Sequence, residues 1–211
     1  MAGIDLIPAM DCEIAAINIS INDQAVGIVK SDDSLPAFAW HRDSYPFVCV
    51  TILSDCTGMT GGETALKTAS GDIMKVRGPA MVSSSPKDMF LPLTCIQGTA
   101  VVMQGRYIEH QALKAFGGRE RISMVTSFRA KSPHIRDETV LTGVRPICNL
   151  SELYTQYTEY RLEILEERIR IKLQQERQRE KANRTFEIVE MRNFLTEQVQ
   201  FLEAMTKELI E

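Results

Sequence analysis

The chain changes character near residue 133, and this change constrains its fold more than any other feature. No glycine or proline occurs over residues 151–211, where Glu, Arg, Gln and Leu dominate. Such a stretch is typical of α-helix, because the two residues that break helices are absent. Before residue 133, short β-branched runs alternate with Gly, Asp, Ser and Pro, which predicts strands and turns. We therefore predict a mainly β domain over residues 1–135, a linker over 136–150 and an amphipathic helical region over 151–211.

Seven runs rich in β-branched and aromatic residues carry the β prediction. Several short strands at this spacing favour a sandwich or barrel over a βαβ fold. The predicted strands lie at residues 14–21, 47–53, 63–67, 72–77, 100–104, 107–113 and 121–129.

Apolar residues recur at seven-residue intervals in the helical region. The two series are Leu150, Tyr157, Ile164 and Ile171, and then Ile188, Leu195, Leu202 and Leu209. Residues 174–184 between them have almost no apolar side chains, so we predict two amphipathic helices joined by, or extending through, a solvated segment. A helical hairpin packed on its own β domain is the favoured arrangement. The alternative is a coiled coil, through which the chain would form a homodimer.

The composition argues against two classes of partner. Lys and Arg total 24 against 28 Asp and Glu, a net charge of −4, so the positive excess that binds nucleic acid is absent. No apolar run reaches the roughly 20 residues that cross a membrane, and the first residues do not have the pattern of a signal peptide. We therefore expect a cytoplasmic protein with no nucleic-acid or membrane partner. The five cysteines are widely spaced and form no CxxC pair, so we expect reduced thiols.

Two of the three histidines are placed where they can share a metal ion. His41 and Asp43 are two residues apart, so their side chains emerge on the same face of an extended segment. His110 lies in another strand-like run and can supply a third ligand. Two histidines and one carboxylate, with the remaining positions open, suit a non-haem Fe(II) that activates O₂. An H-x-D triplet on its own is more often a surface turn before a strand.

An arginine stands at the start of the last predicted strand. The Arg121 guanidinium can hold a carboxylate through two parallel hydrogen bonds, and the Ser123 hydroxyl two residues on faces the same side. Such a pair would bind the far carboxylate of a dicarboxylic co-substrate whose other end chelates iron. Arg119 competes for this role, and a salt bridge at the sheet edge is the structural alternative for Arg121.

The order of these residues along the chain resembles a known family. In chain order the set is His41-x-Asp43, Gly61-Gly62-Glu63-Thr64, His110 and Arg121-x-Ser123. It resembles the 2-oxoglutarate/Fe(II)-dependent dioxygenases, in particular their prolyl-hydroxylase-like members. Residues 40–48 together with the helical tail are also similar to a fungal branch of these enzymes.

The resemblance implies a fold, a chemistry and a role for each residue. The fold would be a double-stranded β-helix, or jelly roll, followed by the helical hairpin or coiled coil. His41, Asp43 and His110 would ligate Fe(II), and Arg121 would bind 2-oxoglutarate with help from Ser123. The enzyme would oxidise an unidentified small-molecule or peptide substrate with O₂ while 2-oxoglutarate is decarboxylated to succinate, with ascorbate as an optional reductant.

Two other functions stay open on the sequence alone. One is a catalytically impaired, oxygenase-like scaffold whose helical tail mediates protein interaction. The other is a zinc hydrolase, because two histidines and a carboxylate also serve zinc. The zinc hypothesis explains neither Arg121 nor Ser123.

Residues 82–97 interrupt the β pattern where a tight connection is expected. Without them, residues 78–81 join directly to Gly98 and give a natural turn into a strand. Val82 is encoded by a codon that begins with GT and Gln97 can be encoded by CAG, which are the ends of an intron. The segment is therefore either a retained in-frame intron or a real surface loop, whose Ser and Pro content suits exposure. Sequencing of the mature transcript decides between the two.

Overall fold

The computed structural model describes residues 3–21, 37–56, 60–77, 97–116 and 120–211. The chain divides into two compact units, Met1–Arg129 and Ala130–Glu211. The first is built of antiparallel sheets and the second contains two α-helices. Of the proposed insertion at 82–97, only Gln97 belongs to the described residues. No helix in the described ranges has the length and apolar character needed to cross a bilayer.

Ten strands make up the described part of the first unit. All seven predicted strand regions contain one, because β-branched residues fit a pleated, half-buried surface. The strands β1, β4 and β9 were not predicted, since two or three residues give no periodicity. The strands are β1 (Leu6–Pro8), β2 (Ala16–Ile21), β3 (Phe47–Ile52), β4 (Thr60–Gly61), β5 (Glu63–Lys67), β6 (Ile73–Arg77), β7 (Ala100–Met103), β8 (His110–Ala112), β9 (Ala115–Phe116) and β10 (Glu120–Ala130).

The strands form two main sheets and one small ladder. In the larger sheet β10 pairs with β2 and with β3, both antiparallel, β7 pairs with β3, and β1 also joins β10. The smaller sheet has the order β6–β5–β8 and is likewise antiparallel. His41 extends it through an isolated bridge to His110. The strands β4 and β9 pair with each other.

The strand β10 contributes two buried polar side chains to the larger sheet. Ser123 and Ser127 lie on one face of it, because alternate residues point the same way, and both are buried. The Ser127 hydroxyl donates a hydrogen bond of 2.9 Å to the Glu13 carboxylate. Burial raises the pKa of Glu13, an effect that the Ser127 hydrogen bond opposes.

The expectation of reduced thiols is only partly correct. Cys49 and Cys56 are free, but Cys12 in the first unit is disulfide-bonded. In the second unit Cys148 is also disulfide-bonded. The reduced state predicted for these two residues is therefore wrong, since wide spacing along a sequence does not decide which thiols the fold brings into bonding geometry.

The second unit is an antiparallel helical hairpin formed by α1 (Leu150–Lys181) and α2 (Ile188–Glu208). The Asn149 side chain caps α1 by accepting a hydrogen bond from the Glu152 amide. Residues that come later in α1 contact residues that come earlier in α2, as expected for antiparallel helices. Arg161 donates to the carbonyl of Phe201 at 3.0 Å, and the Tyr154 hydroxyl donates to that of Ile210 at 3.1 Å.

The segment predicted as a linker packs against this hairpin. Leu141 is fully buried, and its amide donates to the Glu208 carboxylate, which also pairs with Arg145 at 2.7 Å. Asp137 forms a 3.1 Å ion pair with Arg161. Residues 137–145 are therefore an integral part of the helical unit.

Candidate metal centre

His41 and His110 are held side by side by the backbone. The amide of each donates a 2.9 Å hydrogen bond to the carbonyl of the other, which is a reciprocal antiparallel pair. The two imidazole rings consequently lie with their centroids 4.4 Å apart and their planes tilted by 54°. His110 begins β8, whereas His41 lies in the extended segment that precedes β3.

Asp43 completes the cluster from the same segment as His41. Its Oδ1 atom lies 3.5 Å from Nε2 of His41 and 3.6 Å from Nε2 of His110. One ligand atom from each of the three residues lies within 4.8 Å of the others. Ligands at about 2.0–2.2 Å from a metal and at right angles to each other are about 3 Å apart. Small side-chain movements would therefore be enough for the three atoms to bind one ion.

Both imidazoles are oriented for metal binding through Nε2. Nδ1 of His41 lies 2.7 Å from the carbonyl oxygen of Ala39, and Nδ1 of His110 lies 2.9 Å from that of Ile108. A carbonyl oxygen can only accept, so each Nδ1 carries a proton, and in the neutral imidazole Nε2 then keeps its lone pair. A backbone acceptor behind the ligating histidine is the usual outer shell of protein metal sites.

The centre is closed on one side and open on the other. The side chain of His110 is 8% exposed, that of Asp43 20% and that of His41 43%. A metal held here would keep open positions toward the His41 side, as a facial site requires. The neighbouring Asp43 carboxylate raises the pKa of His41, and burial of the ring opposes this effect.

Gly105 is a contributor that the sequence analysis missed. Its carbonyl accepts a 3.0 Å hydrogen bond from the Asp43 amide. A Cβ atom at this position would lie only 1.8 Å from Oδ2 of Asp43, so the carboxylate occupies space that only glycine leaves free. The only sequence signal is a glycine at the turn between two strands, which does not name its neighbour.

Arg121, on β10 of the larger sheet, lines a small cavity. It pairs with Ser20 at the start of β10 and contributes to a cavity of about 70 Å³, which is also lined by Asn18, Phe38, Ala112 and Leu113. Ala112 lies two residues after His110 on β8, so both side chains lie on the same face of that strand. The cavity therefore lies along β8, the strand that carries the candidate ligand His110.

Gly62 lets the backbone approach this cavity closely. Its φ of +74° is in the left-handed region, and a Cβ there would lie 3.1 Å from that of Ala115 and 3.6 Å from Cδ of Arg121. The Gly61-Gly62-Glu63-Thr64 motif thus has a packing role next to the arginine.

Within the described residues, the structure does not place Ser123 or Arg119 at the cavity that Arg121 lines. Ser123 is buried, with 4% exposure, and shares the strand face of Arg121. In the described part of the chain it is not among the residues that line the cavity. Arg119 lies outside the described residues, so the choice between the two arginines stays a prediction.

No protein-family model and no curated protein matches this chain. It is similar in structure to an oxidoreductase of the 2OG-Fe(II) oxygenase family from Burkholderia pseudomallei, with 18% identity over 53% of this chain and 39% of that protein and a TM-score of 0.33. A bsmA homolog from Methylobium petroleophilum PM1 matches with 18% identity over 44% of this chain and 34% of that protein and a TM-score of 0.30. An IDO from Bacillus thuringiensis matches with 15% identity, coverage of 55% and 42% and a TM-score of 0.30. The chain thus spans well under two thirds of each of these proteins.

Proposed function

We propose that this chain is an Fe(II)/2-oxoglutarate-dependent dioxygenase that oxidises an unidentified small-molecule or peptide substrate. The observation that carries the proposal is the convergence of His41, Asp43 and His110 on one point. The protonated Nδ1 atoms and the shared carboxylate oxygen fit a divalent ion better than a hydrogen-bonded cluster, because both Nε2–Oδ1 distances exceed those of normal hydrogen bonds.

The strand order supports the double-stranded β-helix that the proposal requires. The larger sheet runs β2–β10–β3–β7, and the smaller one runs β6–β5–β8 and is extended by His41. Along the chain β5 and β6 lie in the smaller sheet, and β7, β8 and β10 then cross between the two sheets in turn, which is consistent with a jelly roll. His41 and His110 lie next to each other in the smaller sheet, and Arg121 lies in the larger one.

Each residue of the proposed site has a role that its position supports. His41, Asp43 and His110 would hold Fe(II), which with O₂ and 2-oxoglutarate supplies the oxidising chemistry. Arg121 would bind the far carboxylate of 2-oxoglutarate from the cavity along β8, with Ser123 as a second donor. The burial of His110 keeps water from one side of the centre, whereas the exposed side of His41 admits substrate.

Anaerobic Fe(II) titration tests the metal assignment. We expect His110→Ala and Asp43→Ala to weaken Fe(II) binding at least ~100-fold, since each removes a ligand whose outer partners alone are worth 10–100-fold. His134→Ala is the matched control, because this exposed third histidine lies outside the cluster. Equal Fe(II) affinity in His110→Ala and the unchanged chain would contradict the assignment. A chain that takes up no Fe(II) and produces no succinate would favour the scaffold hypothesis.

The co-substrate assignment predicts a separate effect of Arg121. We expect Arg121→Ala to raise the KM for 2-oxoglutarate about 10–100-fold in a succinate assay while leaving Fe(II) affinity unchanged, because the lost contact is a charge-assisted hydrogen bond. Arg136→Ala, which removes a guanidinium that is 86% exposed, is the control. An unchanged KM in Arg121→Ala would move the role to Arg119.

A further inference from the structure

One stripe of α2 is apolar and uncovered. The face of this helix toward α1 buries Gln198, Phe201 and Met205, each at most 8% exposed. Beside that face, Leu195 is 53% exposed, Val199 54% and Leu202 42%. An exposed apolar stripe of this kind on a soluble helix usually marks an interaction surface.

The stripe follows the helical repeat along the whole of α2. Leu195, Val199 and Leu202 are spaced by four and three residues, so they form one row. Ile188, at 64% exposure, continues the row at the first residue of the helix, and Leu209, at 39%, continues it directly after the last. The row therefore offers a mainly apolar strip about as long as the helix, interrupted by Arg192 and Thr206, which suits another helix as partner.

We propose that this stripe is a two-fold interface between two copies of this chain, with their α2 helices antiparallel. A two-fold axis near Glu197 sets Leu195 of one copy against Val199 of the second, and symmetry repeats the contact. The same register sets Leu202 of one copy against Arg192 of the other, where the leucine can pack on the aliphatic part of the arginine side chain.

Charge complementarity selects a second copy in this orientation. Arg192 lies three residues before Leu195 and is therefore part of the same row. In the antiparallel register its guanidinium reaches Glu203 of the second copy, which follows Leu202 directly. Both side chains are exposed, and within the described part of the chain neither forms an ion pair. A parallel pair would instead set Arg192 against itself, with two like charges in the interface.

Sedimentation of the full chain tests the interface. We expect the unchanged chain to have twice the mass of one copy. Leu195→Glu and Val199→Glu should each raise the dissociation constant at least ~100-fold, because the lost burial counts twice in a two-fold interface. Gln200→Glu adds the same charge one residue off the stripe and should leave the dimer intact. A monomeric unchanged chain, or a dimer that survives both stripe variants, would overturn the proposal.

Charge exchange tests the orientation without touching the apolar residues. We expect Arg192→Glu and Glu203→Arg each to weaken the dimer about 10-fold, and the double variant to restore it, because the pair is then rebuilt with reversed sign. The helical circular dichroism signal verifies that each variant is folded. A double variant no tighter than the single ones would overturn the antiparallel register.

Discussion

Gly105 determines where the Asp43 carboxylate can lie. A methyl group on residue 105 would place its carbon only 1.8 Å from Oδ2 of Asp43, so the two atoms would overlap. Because the Asp43 amide is also bound to the Gly105 carbonyl, the backbone cannot move away without losing that hydrogen bond. The smallest side chain change in this turn therefore acts on the proposed metal ligand.

We predict that Gly105→Ala weakens Fe(II) binding at least ~10-fold, which is the usual cost of displacing a ligand's support. Anaerobic calorimetric titration measures the change. Gln104→Ala is the neighbouring control, because this side chain is exposed, and it should keep the affinity of the unchanged chain. Retained affinity in Gly105→Ala would mean that Asp43 is not a ligand.

Asp137 and Arg161 form the buried ion pair of the helical unit. Burial of the Asp137 carboxyl raises its pKa, but the charge of Arg161 and hydrogen bonds from neighbouring side chains outweigh this, so the net pKa is lowered. Arg161 is 1% exposed and also lies over the Phe201 ring at 3.7 Å. Removal of the carboxylate would leave this guanidinium buried without its counter-ion.

We predict that Asp137→Asn lowers the free energy of unfolding by about 3–5 kcal/mol at pH 7. A lowered carboxyl pKa stabilises the fold above the unfolded value near 4, and this stabilisation is lost as the pH falls through the folded pKa. Below pH ~4, the free energy of unfolding should therefore decline less in the variant than in the unchanged chain. Urea unfolding followed by ellipticity measures both effects. Glu138→Gln, which removes a surface ion pair, should cost under ~1 kcal/mol.

The turn between α1 and α2 is built on a non-glycine residue in the left-handed region. Asn183 has a φ of +54°. Its amide donates to the Glu180 carbonyl, and the amide of Arg184 donates to the Arg179 carbonyl. These two bonds are the Schellman motif, which ends a helix and satisfies its last carbonyls. The helix α1 therefore extends through most of the solvated segment and ends where asparagine tolerates this φ.

We predict opposite effects of two substitutions at Asn183. Asn183→Val should lower the free energy of unfolding by about 1–2 kcal/mol, because a β-branched residue is strained at positive φ. Asn183→Gly should be neutral or slightly stabilising, since glycine adopts this conformation without strain. Thermal unfolding of both variants measures the difference, and equal melting temperatures would be inconsistent with a strained turn.

The elements were predictable where local pattern decides them. The alternation in β10 and the absence of helix breakers after residue 150 predicted the longest strand and both helices. The packing of the segment at 137–145 was not predictable, because it depends on pairs such as Asp137 with Arg161 that are far apart in sequence. Likewise, Arg161 lies in a helix rich in polar residues, and its burial could not be predicted from the sequence.

The candidate site was predictable only as a set of residue types. Order and spacing singled out His41, Asp43 and His110, which the structure brings together, and their role as ligands stays a proposal. The sequence could not predict the backbone bridge that sets the distance between the histidines, nor the contact of Gly105 with Asp43. Both depend on which segments become neighbours in the sheet.

At the scale of the molecule, metal binding should stabilise the folded chain. The candidate ligands come from segments nearly 70 residues apart, so unfolding separates them and an ion binds the native state preferentially. At a free Fe(II) concentration of 100 times the dissociation constant, the gain is about 2.7 kcal/mol.

We predict that saturating Fe(II) raises the melting temperature by about 5–10 °C under anaerobic conditions. The double variant His41→Ala/His110→Ala should show no such shift, because only Asp43 of the cluster remains. Differential scanning calorimetry measures both proteins. A shift of the same size in the double variant would mean that the metal binds elsewhere.

The reciprocal hydrogen bonds between His41 and His110 have a kinetic consequence. They fix the spacing of the two rings through the main chain, so the proposed coordination sphere would be assembled before an ion arrives. Loading should then be limited by encounter and by loss of water from the ion rather than by a rearrangement of the protein. The observed loading rate should accordingly rise in proportion to metal concentration, without levelling off.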